Sequence, residues 1–271
     1  DISFSRNSHC HGPMKFRDKI LSLFLVLAAI PALLLGWLTL VLLDQAHRHD
    51  VLVIEQETLR AKEEEIKKFF SNISGTLDLR LETLDAEEIS TESFSWQMSI
   101  AKAMQREHDE FTEILFVSPE GRETARAFRG ERGGPLLYVS DLPEFQTARN
   151  GTLYIGDVYY TSAGPRMVMA SPVRAGDEVV QVIIAEVDIS SLVRSLTAYR
   201  IGETGYVVIA DGRDTYVGTG PFGFIKPGDR ISTLLEQVKA EDRYMSVFSK
   251  TPVAAATTHI SSLDWTLVAE W

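Results

Sequence analysis

The chain has 271 residues, 45% hydrophobic and 24% charged, with a net charge of −11. That length suggests about two domains, and 18 Gly, 10 Pro and one Cys exclude collagen-like, low-complexity and disulfide-scaffold classes. The negative balance argues against a protein that tracks nucleic-acid phosphates, so no nucleic-acid partner is expected.

A mean hydropathy of −0.02 hides an uneven distribution. Ile20 to Leu43 is an uncharged run of 24 residues. At 1.5 Å per residue it extends roughly 36 Å, enough to cross a bilayer with some tilt. Pro31 and Gly36 are tolerated in such helices. The run exceeds the apolar part of a cleaved signal peptide, and the following VLLDQAHRH offers no small-residue cleavage site. Lys15, Arg17 and Lys19 precede it, whereas Asp44, Arg48 and Asp50 follow. The positive-inside rule then gives a cytoplasmic segment 1–19, a span 20–43 in a bacterial inner membrane, and an exterior remainder. Met14 reads as a start directly before the basic flank, and residues 1–13 stay outside the fold reasoning. Beyond the span, 36 acidic residues stand against 23 basic ones, or −13, and the sole Cys10 lies before it. A periplasmic or extracellular region without cysteine must rest on hydrophobic cores.

Residues 44–91 predict a long stalk helix and an acidic loop. Leu52, Leu59, Ile66 and Ile73 recur every seven residues, and Phe69, Leu77, Leu81 and Leu84 extend the stripe. The seam suits either a homodimer or packing onto the chain's own domain. A second helix is expected near 92–107. From Phe111 the pattern becomes strands: FTEILFVSPEGRETARAF is a hairpin, a short helix ends at Asn150-Gly151, and TLYIGDVYYT, RMVMASPVRA and EVVQVIIAEVDI follow as three strands. After a helix at 189–199, GYVVIADGRDTYVGT repeats strand, turn, strand. Glu120–Thr124 is echoed by Asp211–Thr215 at an offset of 91 residues. YMSVFSKTPVAAATTHI and DWTLVAEW close the second unit as two strands. The fold class is α+β, two small antiparallel sheets, each with helices on one face, behind a transmembrane helix and a stalk.

Three segments resemble the double Cache sensor family: Leu142–Phe145 with Ala148, Gly151, Tyr154–Gly156, Val158 and Gly164–Pro165; Ile184–Ser190; and Ile201–Val207 with Asp211–Gly212. The resemblance covers nearly the whole exterior. It implies two PAS-like units, a membrane-distal one at 92–195 and a membrane-proximal one at 196–271. Such modules sense small molecules outside and drive histidine kinases, chemoreceptors or diguanylate cyclases inside. The family's amino-acid-binding subset carries an Asp near the end of the last distal strand, which Asp188 matches; its Arg-x-Trp element is absent from Gly130–Tyr138.

No catalytic constellation is found. Gly218–Gly223 satisfies GxGxxG, but no helix opens there and Pro227-Gly228 follows, so it reads as a loop. His47 and His49 point apart on a helix, His108 and His259 are isolated, and no metal-binding spacing exists, so neither a metal nor a cofactor is expected. Arginine, tyrosine and aspartate instead concentrate around the distal loop: Arg126, Arg129, Arg132, Tyr138, Tyr154, Asp157, Tyr159, Tyr160, Arg166 and Asp188. Arginine holds carboxylates and aromatic walls exclude water. The expected site is therefore Arg126, Tyr138, Tyr154, Asp157, Tyr159, Arg166 and Asp188, binding a small organic anion or zwitterion with Arg126 and Asp188 as anchors. The expected function is the sensor region of a transmembrane receptor, a histidine kinase first, signalling by helix displacement in a dimer. A chemoreceptor or cyclase input, or a membrane-anchored solute-binding protein, is the alternative. Any enzyme activity would belong to an output domain beyond a second membrane helix after Trp271.

Overall fold

The computed structural model describes residues 16–82, 94–130, 135–176, 178–202, 204–218, 226–240, 243–246 and 250–271, with some side chains within these ranges excepted. Lys15, the side chains of Arg17, Lys19, His47, His49, Leu52 and Leu81, and residues Cys10, Leu84, Arg132 and 219–223 of the glycine-rich loop fall outside that description.

The chain divides into residues 1–50 and 51–271. Helix α1 (Phe16–Glu82) contains Pro31. In the first part its described large side chains are exposed, including Phe24 at 68%, Leu33 at 73% and Trp37 at 69%. Among the described residues no helix is long and apolar enough to cross a membrane. Of the 20–43 run, only the side chains at 24, 27 and 29–39 are described.

In residues 51–271, α1 is followed by α2 (Phe94–Glu107), β1 (Phe111–Val117), β2 (Glu123–Phe128), α3 (Pro143–Arg149), β3 (Tyr154–Ile155), β4 (Tyr159–Thr161), β5 (Gly164–Ala175) and β6 (Glu178–Asp188). Then come α4 (Ser190–Ala198), β7 (Arg200–Ile201), β8 (Gly205–Ala210), α5 (Ser232–Ala240), β9 (Arg243–Met245), β10 (Pro252–Ile260) and β11 (Trp265–Glu270). The first sheet has the order β2-β1-β6-β5-β3, with β4 also pairing β5; the second has the order β7-β8-β11-β10-β9. In both, the first long strand lies beside the last, which pairs with the strand before it. The sheets are thus two copies of one antiparallel plan, as the 91-residue echo implies.

Alternation along the strands assigns the faces. Ile114, Phe116, Ile183 and Ala185 share one core with α1 and α2, while Leu115, Val117, Val182 and Ile184 pack with Phe145 and Ala148 of α3. In the second sheet Ile209, Leu267 and Ala269 join the α1 core, while Val208 and Val268 pack with Leu234 and Leu235 of α5. Each sheet is therefore covered on both faces, where the sequence suggested helices on one face. Leu59, Ile66, Phe70, Ile73 and Leu77 lie in the core common to both sheets, and Phe70 meets Trp265 edge-on at 5.8 Å. Leu59, Ile66 and Ile73 are 2%, 0% and 1% exposed, so their seven-residue spacing serves the chain's own core.

The sequence over-extended some strands. TLYIGDVYYT splits into β3 and β4, because Gly156 still donates to the Val168 carbonyl at 2.8 Å but the chain then leaves the edge of β5. After β8, Asp211 Oδ1 accepts the amides of Arg213 and Thr215, and Asp214 takes φ 56°. This tight turn leaves only isolated bridges, Ala210 to Tyr216 and Thr215 to Arg230, where a second hairpin strand was expected. Helix α5 falls in a stretch the sequence reading left unassigned.

Candidate functional site

The α3-side face of the first sheet holds a cavity of about 240 Å³. Its walls come from Glu113 and Leu115 on β1, Glu123 and Arg126 on β2, Val168 on β5, Ile184 and Glu186 on β6, and from Leu137, Val139, Leu142 and Glu144 above the sheet. Glu113, Leu115, Ile184 and Glu186 reach one face because they alternate with core residues on paired strands. Glu113 lies opposite Glu186 in the register, and Leu115 lies between Arg126 and Ile184. Glu123 joins them at an irregularity where β1 and β2 shift register, which re-aims its side chain.

The polar groups form two clusters. Arg126 contacts Glu123 directly and lies 3.5 Å from Glu113, while the Leu137 amide donates to Glu123 at 3.0 Å. Around Glu186, Arg166 makes a direct ion pair, Thr112 donates at 2.6 Å and Tyr159 donates at 2.5 Å. Burial alone would raise the Glu186 carboxyl; the hydrogen bonds from Thr112 and Tyr159 and the Arg166 charge outweigh it and hold the carboxyl below its ordinary range. Burial, then the bond to Glu186, pushes the Tyr159 phenol up, so it stays a donor. The Nε atoms of Arg126 and Arg166 are buried and without a hydrogen-bond partner. Glu144 makes no ion pair among the described residues.

The structure thus brings Arg126, Tyr159 and Arg166 to this face, the last two around Glu186. Tyr154 packs in the apolar cluster beneath α3 with Phe145 and Val168. The other candidates lie apart. Tyr138 is 73% exposed. Asp157 sits 3.6 Å from Arg213 of the second unit. Asp188 pairs with Arg166 in the β5–β6 register, but its carboxylate accepts the Ser190 amide at the start of α4. Arg129 is tied to Asp109 and to carbonyls near the end of α2. The four glutamates escaped the sequence reading. For Glu113 and Glu186 the signal was a charge at an alternating position of largely apolar strands, FTEILFV and VVQVIIAEVD; Glu123 and Glu144 carried no such signal.

Between the β3–β4 connection and the second sheet lies another cavity, of about 310 Å³, lined by Val158, Tyr160, Asp211, Arg213, Tyr216 and Arg230 among others. Tyr160 crosses here: its hydroxyl donates to the Tyr216 carbonyl at 3.3 Å and accepts from the Gly218 amide at 3.2 Å.

No protein-family model matches the sequence, and no curated protein does. Solved structures do. The ligand-binding domain of the Campylobacter jejuni chemoreceptor Tlp3, in complex with 4-methylisoleucine, matches with a TM-score of 0.66 at 13% identity, over 82% of this chain and 91% of that one. A domain of a sensory box/GGDEF family protein from Vibrio parahaemolyticus matches with a TM-score of 0.58 at 13% identity, over 81% and 96%. The extracellular domain of the histidine kinase vpHK1S-Z8 matches with a TM-score of 0.58 at 14% identity, over 81% and 91%. The chain has the two-unit, PAS-like double Cache fold of these sensor domains.

Proposed function

We propose that this chain is the extracytoplasmic sensor region of a bacterial transmembrane signalling receptor, with the glutamate- and arginine-lined cavity of the first sheet as its ligand site. The observation that carries the reading is that cavity, on the helix-covered face of a sheet whose fold is that of ligand-binding sensor domains. The uncharged 20–43 run, with its exposed Phe24, Leu33 and Trp37, is the proposed membrane span. A chemoreceptor-type output is favoured over the kinase that the sequence alone suggested, since the Tlp3 match has the higher TM-score, 0.66 against 0.58. A homodimer belongs to the proposal, with its contact elsewhere than Leu59, Ile66 and Ile73.

The ligand class follows from charge. Four carboxylates line the cavity, while Arg126 and Arg166 are already engaged by three of them. A simple anion would meet net negative charge. A small zwitterion or amine meets carboxylates at its ammonium group, the Arg126 guanidinium at any oxygen, and Leu115, Val168 and Ile184 along an apolar body. The Tlp3 domain binds molecules of this class, 4-methylisoleucine and L-valine.

Isothermal titration of the chain against apolar amino acids, alkylamines and amine-free dicarboxylates tests this. Amine-bearing compounds should bind, and Glu144→Gln should weaken them about tenfold or more. Binding of dicarboxylates alone would overturn the ligand class. Absence of binding or melting shift across the panel would overturn the site.

A further inference from the structure

One turn before Leu59, on the buried stripe of α1, stands an acid. Glu55 is 0% exposed, and neither carboxylate oxygen has a hydrogen-bond partner. An ionised carboxylate in that setting is costly. The second sheet presents another acid to the same region. Glu270, near the end of β11, is also 0% exposed; it takes a short hydrogen bond from Tyr206 and a 2.9 Å bond from Ser246, and those two hydroxyls lie 3.0 Å apart. Glu270 is thus supplied with donors for its charged form, and Glu55 is not.

We infer that Glu55 is a proton-binding site through which the α1–second-sheet interface responds to pH. With its proton, Glu55 is a neutral side chain that the packed interface accommodates. Without it, two buried carboxylates repel across the junction of α1 with β11, and α1 shifts away from the sheet below Leu59. Burial first, and then the Glu270 charge, raise the Glu55 carboxyl from 4.5 to about 7. The charged group that acts on it, among the described side chains, is Glu270 of β11, which is itself held by Tyr206 of β8 and Ser246 after β9. On α1 itself Glu57 and Arg60 are exposed, and Glu63, further on, is held by Lys67 and Thr258.

The sign follows from proton counting. Between 4.5 and about 7 the folded chain holds a proton that the unfolded chain has lost, so stability falls as pH rises through this window. The inference needs no ligand. That the proton comes from outside the membrane rests on the function proposed above, but the titration does not, so either can fail alone.

The test is thermal unfolding of the ligand-free chain from about pH 6 to about pH 8, with infrared spectra of the protonated-carboxyl band. Tm of the wild type should drop by about 3–5 °C relative to Glu55→Gln, whose profile lacks this step. The band should be present near pH 6, fade towards pH 8 and be missing from Glu55→Gln. Should that variant not fold, Glu270→Gln serves instead: removing the repulsion should move the fading of the band to lower pH. Equal slopes for wild type and Glu55→Gln, or no protonated band near pH 6, would overturn the inference.

Discussion

Glu186 shows how much one side chain can organise. Its carboxylate collects Arg166, Thr112 and Tyr159, which stand on different strands, and it is 20% exposed, so solvent screens it little. Glu186→Gln removes the counter-charge of Arg166 and should cost about 1–3 kcal/mol at neutral pH. Because the folded carboxyl titrates below its ordinary value, its contribution is full above 4.5 and is lost as pH falls through the lower folded value. Urea unfolding of wild type and variant should therefore differ at pH 7 and converge in strong acid; a constant difference would sink the account. The sequence pointed two residues further, to Asp188. Residues 186 and 188 share a strand face, so alternation alone could not choose between them. The Asp-Ile-Ser order before α4 carries a local signal of its own, since an aspartate there is drawn to the amide of Ser190.

At the level of elements, the stalk stripe was legible as a helix and ambiguous as an interface. Heptad spacing fixes which side of a helix is apolar, not what covers it. Burial decides: Ile66 is 0% exposed and shares its core with Phe111, Ile114 and Leu267 of both sheets. Ile66→Ala should therefore cost about 2–5 kcal/mol in the isolated protomer, read as a lower urea midpoint independent of protein concentration. A purely intermolecular seam would instead give a concentration-dependent loss. The interruption between β3 and β4 was harder to read, because Gly156-Asp157 is a short break in a stretch otherwise of strand composition. What separates the two is local crowding: a Cβ on Gly156 would lie 3.0 Å from the Tyr154 ring and 3.2 Å from the Val168 carbonyl.

For the molecule as a whole, the question is how the two sheets communicate. The repeated unit was visible in five echoed residues, and the shared strand order bears it out. The junction was not visible, since it joins residues 56 to 58 positions apart that no local pattern relates. Strand β4 places neighbours in different settings: Tyr159 bonds to Glu186 at the cavity wall, and Tyr160 bonds to the backbone at Tyr216 and Gly218. Movement of Glu186 on ligand binding would reach Tyr160 through one peptide unit. The parallel contact, Asp157 to Arg213, has side chains 65% and 54% exposed and so contributes little. Tyr160 is then the stronger link. Tyr160→Phe deletes both hydroxyl bonds and should cost about 1 kcal/mol of stability. It leaves the cavity lining intact, so ligand affinity by titration should stay within about threefold. Calorimetry supplies the discriminating measurement. With the link in place, bound ligand should raise a single cooperative transition; in Tyr160→Phe the calorimetric enthalpy should exceed the van't Hoff enthalpy when ligand is bound, because only the first sheet is then stabilised. An unchanged enthalpy ratio would mean that the shared α1 core, rather than β4, carries the coupling.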